Sequence, residues 1–198
     1  RSANFFIPGL LVVMCQMMAV TLSANAIVRE KEFGTIEQLF MTPVTAVELI
    51  LGKMFPYVLT TYVEFCIVAF LMWSVFQVPI NGWFTTLLFI FLPFLLTMLG
   101  MGLGISTQAT TREAAQQMAI GTVLPSIFLS GYVFPVDSMP TFFWYLAKFI
   151  PTTWMIDASR GVILRGGGMA ELQTHALVLW SMAIVVVFLG ASRFRKQL

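Results

Sequence analysis

Two polar side chains stand deep inside apolar runs of this sequence: Gln16 in the run 5–28 and Glu64 in the run 54–76. A carboxyl at that depth costs a few kcal/mol to place, so an intramembrane Glu reads as functional by default. Its structural alternative is a neutral carboxyl hydrogen-bonded to a partner, and Gln16, at similar depth, is the partner expected for it. The densest charge, Arg29, Glu30, Lys31, Glu32 and Glu37, lies instead between two long apolar runs. Asp157 and Arg160, three apart, read as a local ion pair. Cys15 and Cys66 each sit in an apolar run, which points away from a disulfide framework. A single histidine, His175, points away from a histidine metal site. No GxxxxGK[ST] stretch occurs, so no P-loop for ATP is expected. "GMGLG", Gly100 to Gly104, lacks the strand that a dinucleotide fingerprint needs before it. It falls inside an apolar run, where Gly100 and Gly104 read as a small-xxx-small face for close helix packing. Catalytic, cofactor-binding and metal-binding residues are therefore all expected to be absent.

The elements that position these residues follow from composition. Of 198 residues, 59% are hydrophobic and 10% charged, and the mean hydropathy is +0.89. Soluble domains run nearer a quarter charged, and a soluble chain this apolar would aggregate through its exposed patches. The chain reads as an all-α integral membrane protein. A net charge of +2, scattered along the chain, gives no nucleic-acid surface. A spanning helix needs about 20 apolar residues, and lipid forces such runs to be helical. Five runs qualify: 5–28, 54–76, 83–107, 116–134 and 173–192.

Basic residues set the orientation. Arg29, Lys31, Lys53, Arg112, Arg193, Arg195 and Lys196 fall on one side by parity; Arg1, Lys148, Arg160 and Arg165 fall on the other. The majority side is expected to be cytoplasmic, with the C-terminus there and the first residue outside. An odd span count with an outside start, and an opening "RSANFFIPGL" without Met, predict an upstream span. The outer segment 135–172 is rich in aromatics and broken by Pro140, Pro151 and Gly166 to Gly168. It predicts two short helices, over about 138–165, that lie on or dip into the outer face.

In the connector, Gly34 precedes Thr35, and Gln38 follows three residues later, the pattern of a capping box. Ile36, Leu39 and Phe40 then share a face and Pro43 stops the run, predicting a short helix at 35–42. Thr45 and Glu48 repeat the pattern before the next span. A helix this charged and two-sided is either an interfacial linker or a docking helix for a cytoplasmic partner.

"VREKEFGTIEQLFMTPVTAVELILGKMFPY" resembles the first-cytoplasmic-loop signature of ABC type-2 transporter permeases, the membrane subunits of ATP-driven exporters. "LPSIFLSGYVFPVDSMP" is similar to a second stretch of that family and "ASRGVILRGGG", more weakly, to a third. Asp137 stands where relatives often carry Glu. The resemblance spans essentially the whole chain, with the first two motifs specific and the rest generic. It implies six spans per subunit, of which these five are the last, and an extracytoplasmic domain after the first. It implies a homo- or heterodimer of permeases in the bacterial inner membrane above two ABC ATPase subunits, with a periplasmic adaptor as a further candidate partner. ATP and Mg would be held by the ATPase and no cofactor by this chain. The connector would be the coupling helix, with Glu30, Glu32, Gly34, Thr35, Glu37, Gln38, Leu39 and Phe40 as the ATPase-coupling residues. The implied cargo is drugs or other amphiphiles. Polysaccharide or lipid-linked export, and an ion-coupled secondary transporter using Glu64, are the alternatives.

Overall fold

The structure is a computed structural model, and it describes residues 2–34, 46–168 and 170–195. Within them lie seven helices: α1 (Ser2–Phe33), α2 (Ala46–Ser74), α3 (Phe84–Gln108), α4 (Arg112–Leu129), α5 (Thr141–Lys148), α6 (Pro151–Arg165) and α7 (Gln173–Arg195), with a 3-10 turn at Val136–Ser138. No strand occurs among the described residues. Each of α1 to α4 carries an internal proline (Pro8, Pro56, Pro93, Pro125). Apolar bundles tolerate these because neighbouring helices and hydroxyl side chains satisfy the freed backbone groups.

The long apolar helices α1 and α3 form the centre, packed along each other, with α2, α4, α6 and α7 around them. Phe65, Phe91, Phe94, Leu11, Leu87 and Leu95 are among the fully buried side chains there, and Phe65 stacks on Phe91 at 4.1 Å between centroids. At the crossing of α1 and α3, a Cβ on Gly102 would fall 1.9 Å from Ser23 Oγ and 2.6 Å from the Val20 carbonyl oxygen. Only a hydrogen fits there. The outer face of α2, by contrast, presents Phe55, Leu59, Val63, Ile67 and Phe70, a stripe at helical spacing suited to lipid or to another apolar surface.

Among the described residues, three helical stretches are long and apolar enough to cross a membrane, Phe6–Phe33, Gly52–Ser74 and Phe84–Gln108, and Gln173–Leu189 of α7 is a further apolar stretch. The fourth expected run, 116–134, is displaced. Its helix opens at Arg112, where Thr111 Oγ1 accepts from the Ala114 amide at 3.2 Å. It ends at Leu129, just before Gly131 turns the chain at φ 81°. A threonine cap at one end and a left-handed glycine at the other outrank hydropathy in setting those bounds.

The two short helices expected on the outer face differ. α5 exposes Phe142 and Tyr145, and Phe149 just after it is exposed too, whereas α6 buries Thr152, Met155, Ile156, Ser159 and Val162 against α1 and α3. α6 runs antiparallel to α1. A Cβ on Gly9 would lie 3.5 Å from Arg160 Nη2, while Thr152 bonds Gln16. Seven residues of α1 and eight of α6 separate those contacts, roughly 10 and 12 Å of helix. The hairpin therefore dips into the bundle and returns. Asn81 meets the returning end, its amide donating to the Ile163 carbonyl (3.2 Å) and its Nδ2 to the Leu164 carbonyl (3.1 Å).

Candidate functional site

Four polar features stand out against the apolar bundle. The first is at the end where α1, α3 and the starts of α2 and α4 meet. The helix of α1 continues through Arg29 to Phe33, so Glu30, Lys31 and Glu32 belong to α1 and precede the expected connector helix. Gly34 then closes α1 in the left-handed region, φ 67°. Glu30 forms an ion pair with Lys53 on α2. Glu32 holds Arg112 on α4 twice, by the guanidinium at 2.7 Å and by the backbone amide at 2.9 Å. Lys31 Nζ donates to the carbonyls of Thr107 (2.8 Å) and Ala109 (3.3 Å), closing the end of α3. The Arg112 guanidinium also lies 5.4 Å from the Phe33 ring centre. Three consecutive residues of α1 thus tie it to three other helices. Thr35, Glu37, Gln38, Leu39 and Phe40, with the capping pattern at 35–42, lie outside the described residues.

The second feature is at mid-depth. Gln16 is 1% exposed and bridges two helices: its Nε2 donates to Ser126 Oγ on α4 (2.5 Å), and its Oε1 accepts from Thr152 Oγ1 on α6 (2.8 Å). Glu64 is not its partner, which corrects the expected pairing. Ser126 and Thr152 complete both ends of the amide at a depth where lipid offers no substitute, so they compete successfully for it. No sequence signal singled out either hydroxyl, because Ser and Thr commonly bond their own helix backbone.

The third feature is Glu64 itself. Its Oε2 is buried and has no hydrogen-bond partner. It borders a groove of about 370 Å³ whose other walls are Met14, Met17, Met18, Thr21 and Leu22 of α1.

The fourth is a cavity of about 690 Å³ at the end opposite the charged connector, bordered by Trp144, Lys148, Trp154, Asp157, Arg160 and His175. Asp157 joins α6 to α7 through His175 Nε2 (2.8 Å) and also meets Arg165 Nη2 (3.3 Å). The His175 hydrogen bond, helped by the charges of His175, Arg165 and Arg160, holds the Asp157 carboxyl below the usual range against a partial desolvation that works the other way. Arg160 sends Nη1 to the Gly131 carbonyl at 3.1 Å.

The glycine pair is split. A Cβ on Gly100 would meet Val186 Cγ1 of α7 at 2.8 Å, but one on Gly104 would meet nothing within 4 Å. A methyl side chain at Gly104 would thus meet no other helix of this chain. Gly102 takes its place, because a helix turns roughly 100° per residue and two residues move the small face from α7 to α1. Among the described residues, no group of three or more His, Cys, Asp or Glu is arranged to hold a metal ion.

Among the described residues, a helical bundle with a dipping hairpin at one end and ion pairs at the other defines a polytopic helical membrane protein. Residues 1–164 match the family model of the ABC-2 type transporter, and the chain belongs to that family. It is 32% identical over 198 residues to "Probable multidrug ABC transporter permease YbhS" of Escherichia coli (strain K12), a match covering 100% of this chain and 52% of that protein. To "Probable multidrug ABC transporter permease YbhR" of the same organism it is 26% identical over 191 residues, 96% of this chain and 51% of that one. A more distant relative is "ABC transporter G family member 20" of Dictyostelium discoideum, 25% identical over 201 residues, covering 100% of this chain and 27% of the relative. The chain thus spans about half the length, or less, of the curated relatives it matches.

Proposed function

We propose that this chain is the membrane-spanning permease portion of an ATP-driven exporter in a bacterial inner membrane, with its C-terminus cytoplasmic. It works as a dimer with a second permease and with a cytoplasmic ABC ATPase, which holds ATP and Mg. Its cargo is drugs or other amphiphiles, the reading favoured by the names of its bacterial relatives.

One observation carries the coupling part of this reading. The segment between α1 and α2 is flanked by ion pairs that tie α1 to α2 (Glu30–Lys53) and α1 to α4 (Glu32–Arg112). A force applied to that segment reaches three helices together rather than bending one. In this mechanism ATP binding closes the ATPase subunits, the connector at 35–42 takes up the motion, and the bundle changes its opening toward the outer side. Nothing covalent is done by this chain.

The test is co-purification of the ATPase with the intact permease carrying Phe40→Ala and Glu37→Lys together, with substrate-stimulated hydrolysis measured in lipid. Truncating an interface anchor costs roughly 1–3 kcal/mol of docking, so retention and stimulation should fall well below wild type. Full retention with unchanged stimulation would reduce the connector to a linker.

A further inference from the structure

We infer that the groove between α1 and α2 beside Glu64 is a binding site for a lipophilic organic monocation. The inference rests on the exporter reading above and names the class of amphiphile that the site admits.

Three observations converge. Glu64 is the single ionisable residue bordering the groove, and its Oε2 is a buried acceptor with no hydrogen-bond partner. Gln16, the partner expected for it from the sequence, is committed instead to Ser126 and Thr152. Thr61 Oγ1, one turn earlier on α2, is also buried without a hydrogen-bond partner. An acceptor left alone in apolar surroundings favours a positive charge that arrives with its own hydrocarbon.

The rest of the groove decides which cation. A metal ion needs several oxygen ligands to replace its hydration shell, and this site offers one carboxyl and the Thr21 hydroxyl among thioethers and alkyl groups. A weakly hydrated organic cation makes no such demand. Met14, Met17 and Met18 supply flexible, polarizable walls that conform to varied shapes. Met14 and Met17 are 43% and 47% exposed, so the groove opens on the bundle surface. Glu64 lies near the middle of Gly52–Ser74, so the ligand arrives through the apolar layer. An anion of equal shape meets only a carboxyl and is rejected.

The experiment uses the intact permease in lipid nanodiscs, with radiolabelled tetraphenylphosphonium and its anionic shape-mate tetraphenylborate. Binding to empty nanodiscs is subtracted for each ion. The cation is expected to bind about tenfold or more tightly than the anion. Glu64→Gln should erase that preference and Glu64→Asp should keep it. Met17→Lys, which places a positive charge in the groove, should abolish cation binding and serves if Glu64→Gln does not assemble. Equal binding of the two ions to wild type, as when a basic group of a second copy already caps Glu64, overturns the site. So does a preference that survives Glu64→Gln or Met17→Lys. No ATPase takes part, so failure here leaves the exporter reading standing. An ATPase that does not co-purify with the wild-type permease sinks that reading and leaves the binding result intact.

Discussion

Thr152 Oγ1 donates to Gln16 Oε1 at 2.8 Å across 136 residues of sequence, fastening the deepest point of the dipping hairpin to the middle of a central helix. Replacing Gln16 by Leu removes both of its bonds, but Ser126 keeps a bond to the Val123 carbonyl at 2.8 Å. Interhelical hydrogen bonds in membranes are worth about 0.6 kcal/mol on average and up to about 1.7. Gln16→Leu should therefore lower stability by about 1–2 kcal/mol, and adding Thr152→Val should cost little more. Reversible unfolding in detergent reads both values, and full additivity would show that the two residues are not coupled.

The glycines give a sharper contrast. Gly102→Ala puts a methyl against Ser23 and the Val20 backbone, and overpacking of this kind costs about 1–3 kcal/mol. Gly104→Ala meets open space and should gain up to about 1 kcal/mol from helix propensity. Thermal midpoints in the same detergent should move in opposite directions.

At the connector end, the exchange of Glu32 and Arg112 tests the clamp. Arg112→Glu alone sets two carboxylates together, whereas adding Glu32→Arg restores an ion pair. Exposed pairs are worth about 0.2–1 kcal/mol, so little global stability is at stake. The expected signal is local: faster amide exchange at the start of α4 in the single variant, and recovery in the double. Unchanged exchange in the single variant would deny the clamp a mechanical role.

The Asp157–His175 contact has a pH signature. The Asp157 carboxyl is held below its ordinary value, so its contribution is full above the unfolded value of about 4 and fades as pH falls through the lower folded value. Acidifying below about pH 4 should loosen the α6–α7 contact, seen as quenching or release of Trp154 fluorescence, since that ring lies 5.5 Å from His175. In Asp157→Asn the acid step at Trp154 should be absent.

Hydropathy alone pointed to a helical membrane protein and to the apolar helices α1, α2 and α3, because lipid leaves a 20-residue apolar run no other way to satisfy its backbone; it misplaced the bounds of α4. The "REKEFGTIEQL" signature pointed to the family, since that spacing is specific. Local signals also marked Gly34 and the breaks at Pro140, Pro151 and Gly166. Pairing was not legible. Gln16 at the depth of Glu64 says nothing of which helix each faces, and α6 supplied the nearer partner. The charges of Glu30 and Glu32 read as a partner's surface, yet they bond Lys53 and Arg112, because α1 runs on past the end of its apolar run at Val28. Gly100 and Gly104 satisfy a spacing rule that takes no account of Gly102 lying where α1 crosses. Sequence carries what each helix must bury, but the rotation of each helix about its axis is set by its neighbours. Only the tertiary structure decided which polar groups meet and which, like Glu64, are left facing a groove.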